Sequence, residues 1–195
     1  MIVSQDWRER KKARTRERIQ GEALRLFGEQ GYDATTVTQI AAAAGVSHTT
    51  FFRYFPTKED VVLADGYDPL IDAALRNRPE SEDLVERVRN ATAEGLAAVG
   101  GSDRDALLAR VRLLLSAPSL RSRLWEQMQG TRALLERALA GTDDPAAVPR
   151  RVRVVAAACL AVLTTAITEW ADGDGRADLA EIVDDAFAQL RAELR

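Results

Sequence analysis

The sequence contains one cysteine, Cys159, and one histidine, His48, among its 195 residues. One cysteine cannot form a disulfide within the chain, which suits a reducing cytoplasm. Cys159 lies in the apolar run VVAAACLAVL, so a small buried core residue is the simplest interpretation and a redox sensor is the alternative. His48 has no Cys, Asp or Glu at ligand spacing, which predicts no metal site. The sequence shows no Ser-His-Asp set and no glycine-rich phosphate loop, so we expect neither an enzyme nor a cofactor.

Long apolar runs are also missing. The N-terminus lacks the apolar stretch of a secretory signal. The most apolar segment, residues 152–167, is shorter than the roughly 18–20 uninterrupted apolar residues of a membrane span and begins in the charged run RRVR. These features predict a buried helix, no membrane partner and a cytoplasmic protein.

Positive charge is scarce overall and concentrated at one end. The formal net charge is −3, yet residues 8–18 hold seven basic side chains against Glu9 and Glu17. A basic arm on an otherwise acidic chain is the asymmetry expected of a protein that binds a polyanion. A solvated and partly frayed terminus is the alternative interpretation.

Strand patterns are absent, because no alternating run bounded by hairpin turns occurs. The apolar residues instead recur at helical spacing, as in Ile19, Ala23, Leu24, Leu26 and Phe27 before a terminating Gly31. The sequence therefore predicts an all-α fold. After a helix that ends at Gln30 and two short ones, we expect longer helices over residues 58–77, 83–99 (ended by Gly100-Gly101), 103–118, 120–140, 145–171 with a break near Pro149, and 178–194.

Residues 36–58, TVTQIAAAAGVSHTTFFRYFPTK, have the signals of a helix-turn-helix. Thr36 and Gln39 fit a capping box at the start of one short helix. Gly45 can take the positive φ of the turn, and Ser47 is a good N-cap for the next helix. Pro56 ends that helix, and Thr57 caps another that begins at Lys58.

Hydroxyls and a cation gather at these helix starts, where phosphates are commonly bound. The first turns of the second helix are where a reader meets base edges, which points to His48 and Thr49. Phe51 and Phe55 are expected in the core. Phe52 is open between core and groove, and Tyr54 between packing and a phosphate bond. The residues predicted to contact DNA are Thr36, Thr38, Ser47, His48, Thr49, Thr50, Tyr54 and Lys58.

The pattern ATTVTQIAAAAGVSHTTFFRYFPTKEDVV resembles the N-terminal domain of TetR-type transcriptional repressors. The resemblance covers about residues 11–62 and rests on FGEQGYDATTV, IAAAAGVS and TFFRYFPTKED. It implies about nine helices, with a three-helix DNA-binding domain over residues 1–57 and an effector-binding and dimerisation domain over residues 58–195. The family's phosphate and base contacts match the eight positions named above. The stretch FFRYFPTKEDVVLADGYDPL also resembles a subgroup that responds to acyl-CoA-like molecules.

The resemblance further implies a homodimer through the last two long helices, near residues 150–171 and 178–194, with an intramolecular core helix as the alternative. Two identical readers would recognise a palindromic double-stranded operator. Large apolar residues suggest a pocket for an apolar or amphipathic effector. The candidate pocket residues are Leu107, Val111, Leu114, Trp125, Met128, Leu163, Ile167 and Trp170.

The function expected from these features is that of a ligand-released DNA-binding repressor. The effector would shift the helix that starts at Lys58, and so would alter the spacing of the two readers. A transcriptional activator and an architectural DNA-binding protein without an effector are the alternatives.

Overall fold

The protein is described by a computed structural model over residues 2–64, 67–99 and 104–193. These residues form ten α-helices and no strand, which confirms the all-α prediction. The helices are α1 (Ile2–Gln30), α2 (Val37–Ala43), α3 (His48–Tyr54), α4 (Lys58–Leu63), α5 (Tyr67–Arg76), α6 (Leu84–Val99), α7 (Arg104–Ser116), α8 (Arg121–Ala140), α9 (Arg150–Asp172) and α10 (Leu179–Glu193). Short 3-10 turns lie at Pro118–Leu120 and Pro145–Ala147. The predicted terminators Gly100 and Gly101, the helix bounds 103 and 194, and the side chain of Arg8 lie outside this description.

The chain forms two compact units, each with its own core. The first unit comprises described residues 2–64 and 112–121, and the second comprises 67–99, 104–111 and 122–193. The first core is built around Ile19, Phe27, Ile40, Phe51 and Phe55. Both Phe51 and Phe55 are fully buried, as predicted.

Local signals place the short helices of the first unit. The Thr36 hydroxyl accepts a bond from the Gln39 amide, and the Gln39 side chain bonds back to the Thr36 amide, which confirms the capping box. Ser47 caps α3 through the Thr50 amide, and Thr57 caps α4 through the Asp60 amide. The turn at Gly45 has φ +60°, a conformation that a residue with a side chain rarely adopts.

The prediction of one helix over residues 58–77 is wrong, because the structure has two helices there. Helix α4 ends at Leu63, and Ala64 is extended with ψ 97°. The Gln20 side-chain amide donates to the carbonyls of Val61 and Ala64 at 2.9 and 2.6 Å, which satisfies the end of α4. Pro69 falls within the first turn of α5. Proline is tolerated there but would have broken a continuous helix, so its position in the sequence was the missed signal.

The second unit packs α5, α6, α8, α9 and α10 around a core that includes Leu75, Val88, Leu135, Cys159 and Phe187. The predicted ends of α6 and α8 agree with the structure to within one residue. The break predicted near Pro149 is present, since Pro149 is the N-cap of α9.

Helix α9 corrects the expectation that its apolar segment, residues 152–167, is too short for a membrane span. It has 23 residues, and an 18-residue window within it has a mean hydropathy of 1.8, so length and composition alone would allow it to cross a membrane. A core helix of a globular protein has the same signature, and 33% of that window is buried. Val152, Ala156 and Cys159 form the buried stripe of α9. Val154, which lies outside this stripe, is 61% exposed.

Candidate nucleic-acid interface

Seven of the eight predicted contact residues stand at the start of α2 or on α3 and its N-cap. Thr36 and Thr38 are exposed at the start of α2. Ser47, His48 and Thr49 are exposed at the start of α3. Thr50 and Tyr54 are half-buried. All of them belong to the first unit, so the fold presents the predicted set without burying its hydroxyls in the core.

The hydroxyls at the two helix starts also cap the helices. Thr36 exchanges bonds with Gln39. The Ser47 hydroxyl accepts from the Thr50 amide at 3.1 Å and lies 2.9 Å from the Thr50 hydroxyl. Each oxygen is thereby held in one orientation at the surface. The Thr36 hydroxyl donates its one hydrogen to the Gln39 Oε1 at 3.0 Å, whereas one of the paired Ser47 and Thr50 hydroxyls keeps its hydrogen for a phosphate.

The exposed face of α3 carries an aromatic pair that the sequence left unresolved. The rings of His48 and Phe52 meet edge to face with centroids 4.8 Å apart. Phe52 remains 41% exposed although its other neighbour, Phe51, is fully buried. The structure therefore places Phe52 at the surface beside His48. The missed signal is their spacing of four residues, which puts both on one face of a helix.

Arg16 links α1 to the end of α3. Its guanidinium lies 4.7 Å from the centre of the Phe55 ring and donates to the Tyr54 carbonyl at 3.5 Å. Arg53, exposed on α3, lies 5.5 Å from the Tyr54 ring. Together they add positive charge beside α3, and neither was among the predicted contacts.

Lys58 is held by the loop before α2. Its ammonium donates to the carbonyls of Tyr32 and Thr35 at 3.0 and 3.1 Å and lies 4.0 Å from the centre of the Tyr32 ring. An ammonium has three donors, so one donor remains beyond these two bonds. The contact joins the start of α4 to the residue that precedes the α2 cap.

Tyr32 is anchored on its other side by Glu59. The Tyr32 hydroxyl donates to the Glu59 carboxylate at 2.8 Å, and its ring packs against Phe27 at 5.0 Å between centroids. Burial, followed by the bond to the Glu59 carboxylate, raises the pKa of Tyr32 well above its ordinary value. The hydroxyl therefore stays protonated and keeps donating across the physiological pH range.

Basic side chains continue along α1. Lys11, Lys12, Arg14 and Arg18 are exposed on this helix. The basic arm is helical from Ile2 onward, with these side chains open to solvent. A helix with this charge on the unit that carries α3 is suited to following a phosphate backbone.

The eight predicted pocket residues do not form one wall. Val111 and Trp170 pack together with Leu107 and Ile167, while Leu163 lies in the larger core of the second unit. Leu114 packs in the first unit's core. Trp125 is 63% exposed, and Met128 is half-buried. The prediction of a single pocket from these residues is therefore corrected, because apolar content along a helix does not reveal which core each residue joins.

Two family patterns together match most of the chain. The pattern described as bacterial regulatory proteins of the tetR family matches residues 19–64. The pattern described as the MftR C-terminal domain matches residues 82–195.

Among curated relatives, the HTH-type transcriptional regulator TcmR of Streptomyces glaucescens is 36% identical over 200 residues, covering 96% of this chain and 87% of TcmR. Among solved structures, the fatty acid degradation regulator FadR of Bacillus halodurans has a TM-score of 0.61 at 24% identity, covering 93% of this chain and 96% of that one. FadR of Thermus thermophilus, a TetR-family transcriptional repressor solved with lauroyl-CoA, has a TM-score of 0.53 at 28% identity, covering 90% of this chain and 92% of that one.

Proposed function

Because the chain belongs to the tetR family of bacterial regulatory proteins, we propose that it is a repressor that binds a palindromic operator as a homodimer and leaves it when a small molecule binds. That it is a transcriptional regulator of this family follows from the comparisons. Repression, the dimer, the operator and the effector are the proposal. The observation that carries it is the exposed α3 face, where His48, Thr49 and Phe52 stand beside fixed hydroxyls.

In this proposal, DNA is bound by the unit of residues 2–64 and 112–121, which takes in Lys58 and α4 beyond the boundary predicted at residue 57, and the effector and dimer functions belong to the other unit. His48 and Thr49 read base edges from the first turn of α3, and Phe52 adds an apolar surface that suits a thymine methyl. Thr36, Thr38, Ser47, Thr50, Tyr54 and Lys58 contact phosphates. The remaining ammonium donor of Lys58 is the one available to a phosphate.

The homodimer would form through α9 and α10. Val154, Ala157 and Ala161 expose small apolar surface on α9. The hydroxyls of Thr164, Thr165 and Thr168 bond to carbonyls of their own helix at 2.8, 2.9 and 2.8 Å. These hydroxyls therefore require no partner across an interface, and they are not spare donors for a ligand. Small side chains without unmet hydrogen bonds suit close packing against a second copy.

The effector would be an apolar or amphipathic molecule. Support comes from the T. thermophilus relative, which was solved with lauroyl-CoA. An effector can release the operator only if it binds the DNA-free state more tightly than the DNA-bound state. The proposed location of the protein is the cytoplasm.

Selection of bound DNA from a random pool tests the reader and the dimer together. We expect a palindrome with half-sites about one helical turn, or a multiple, apart. His48→Ala and Thr49→Ala should change the selected bases, whereas Tyr54→Phe should weaken binding to all sequences alike. Recovery of unrelated sequences, or of the same palindrome after both His48→Ala and Thr49→Ala, would contradict the proposed reading.

Titration of the operator complex with lauroyl-CoA tests the effector class. Release at concentrations that saturate the free protein supports the proposal. If calorimetry shows lauroyl-CoA binding while operator affinity is unchanged, the proposed switch is wrong for this ligand. Residues 82–195 would then still belong to the family domain, because that assignment does not depend on the ligand.

A further inference from the structure

A groove of about 800 Å³ lies within the second unit, and its volume is within the range of small-molecule sites. It is lined by the start of α6, the end of α8, the first turns of α9 and the end of α10. None of the eight predicted pocket residues lines it. The groove is therefore separate from the apolar cluster around Trp170.

One wall of the groove is apolar. Leu84 and Val85 contribute from α6, Leu139 and Ala140 from α8, and Val155 from α9. Four of these side chains are only partly packed against the core, and Leu139 is buried. An occupant would therefore cover apolar surface that the unit itself leaves partly open to water.

Some charged groups of the groove form salt bridges and others do not. Arg191 pairs with Asp83 at 2.9 Å and also with Glu86. Glu82 pairs with Arg78 and accepts a bond from Asn90 at 3.4 Å. These pairs neutralise two of the lining carboxylates and one of the lining guanidiniums.

The two other arginines are poorly satisfied. The Nε of Arg87 is buried and has no hydrogen-bond partner, and its Nη1 makes only a long bond of 3.5 Å to the Leu139 carbonyl. Arg151 is exposed on the first turn of α9 and forms no salt bridge within the described part of the chain. A buried guanidinium N–H without an acceptor is costly. This Nε is closed to solvent, so an anion in the groove would pair with the outer nitrogens of the Arg87 guanidinium.

The charge balance sets the kind of anion. Beyond the internal pairs, Arg87 and Arg151 face one unpaired lining carboxylate, that of exposed Glu80. Over all the lining residues three guanidiniums stand against three carboxylates, so Arg87 and Arg151 form a local cationic pair in a groove without net charge. The groove therefore has no excess positive charge to hold a polyanion such as the phosphates of a coenzyme.

We propose that this groove binds a monocarboxylate with an apolar body. The carboxylate pairs with Arg87 and Arg151, and the body covers Leu84, Val85 and Val155. The proposal goes beyond operator recognition and does not depend on it. It assigns the groove to a free acid rather than to an acyl-CoA.

Calorimetry of the full chain with three matched probes tests the chemistry. Decanoate, decanol and decylamine share a ten-carbon chain and differ in head-group charge. We expect saturable binding of decanoate, and decanol should bind about ten-fold more weakly or worse, because it lacks the charge-assisted bonds. Equal binding of decanol, or preferred binding of decylamine, would overturn the proposal. The second of these would assign the groove to a cation held by the acidic residues.

Substitutions locate the site. Arg151→Gln and Arg87→Gln should each weaken decanoate binding about ten-fold. Arg150→Gln is the matched control, because Arg150 is the exposed neighbour of Arg151 and does not line the groove, and it should leave binding unchanged. Arg151 is exposed, so its variant keeps the test valid even if Arg87→Gln lowers the melting temperature. Decanoate binding that Arg151→Gln leaves unchanged would place the acid elsewhere and overturn the proposal.

Two further comparisons separate this proposal from the regulator proposal. Decanoyl-CoA should not displace decanoate from the groove of the unaltered protein, and displacement there would overturn the preference for a monoanion. No DNA enters these measurements. A chain that selects a palindrome but fails to bind decanoate contradicts only the groove, and the reverse outcome contradicts only the regulator proposal.

Discussion

At the scale of single residues, Lys58 combines a phosphate-contact position with a structural role. Its ammonium bonds to two carbonyls in the loop before α2 and lies against the Tyr32 ring. The side chain is only half-buried, so solvent weakens these contacts to some degree. The loop it holds leads directly into the Thr36 cap, which makes Lys58 a positioning residue for α2.

Lys58→Met should therefore lower the free energy of unfolding by about 1–3 kcal/mol, since two charge-assisted bonds are lost. Urea denaturation measures this change. Lys12→Met, which removes a charge from the exposed face of α1, is the control and should change stability by less than about 0.5 kcal/mol. If Lys58→Met leaves stability intact and only reduces the salt dependence of DNA binding, Lys58 is a phosphate contact alone.

Cys159 illustrates how burial controls chemistry at one atom. Burial, followed by the negative charge of Asp83, raises the pKa of the Cys159 thiol to about 12. At neutral pH the thiol is protonated, and the thiolate is the nucleophile. This environment argues against the alternative of a redox sensor.

We expect iodoacetamide at pH 8 to leave the folded protein unmodified while the urea-unfolded chain reacts completely. Mass spectrometry reads the result directly, because the chain has one cysteine. Labelling of the folded protein at the rate of a free thiol would instead indicate that α9 opens readily from its core.

At the scale of helices, the short elements α2, α3 and α4 depend on their caps. They contain 7, 7 and 6 residues, too few to be stable alone. Each begins with a side-chain cap, and α4 has a second one at its end from Gln20. The orientation of the proposed DNA contacts therefore rests on a few hydrogen bonds and on the buried residues beneath them.

The α4 cap offers a direct test. Thr57→Ala removes the bond from the Asp60 amide to the Thr57 hydroxyl, which measures 3.2 Å, and should lower the free energy of unfolding by about 1 kcal/mol. Thr57→Ser retains the hydroxyl and should restore most of that loss. Thermal unfolding compares the three proteins, and an equal loss in the serine variant would show that the methyl group, not the cap, is responsible.

At the scale of the whole molecule, the exposed side of α9 is the surface that the proposed dimer must cover. Val154 is 61% exposed on a helix whose opposite stripe is buried. The chain buries 33% of the apolar window of α9. In the proposed dimer, a second copy packed on the open side would cover more of this apolar surface.

Val154→Glu should convert the proposed dimer to a monomer, because a carboxylate would lose its hydration in the interface. Analytical ultracentrifugation measures the mass. Leu70→Glu is the control, since Leu70 is an exposed apolar residue of α5 with 38% exposure, and it should leave the dimer intact. A Val154→Glu protein that remains dimeric would place the interface elsewhere.

What the sequence determined by itself was local. Caps at Thr36, Ser47 and Thr57, the turn at Gly45 and the stop at Pro56 each depend on neighbours within four residues, so all could be predicted. The burial of Phe51 and Phe55, two aromatic residues four positions apart, was also expected from the sequence. The predicted DNA contacts followed from the same local logic, because they lie at helix starts.

Contacts between distant residues were decided only by the tertiary structure. Gln20 satisfies carbonyls more than 40 positions away, and Lys58 meets the Tyr32 carbonyl 26 positions away. The end of α4 and the separation of the predicted pocket residues into different cores both depend on such contacts. The groove at Arg87 and Arg151 likewise joins four helices. Periodicity shows which face of a helix is buried, but the partner of that face is set by packing among helices that the local sequence does not encode.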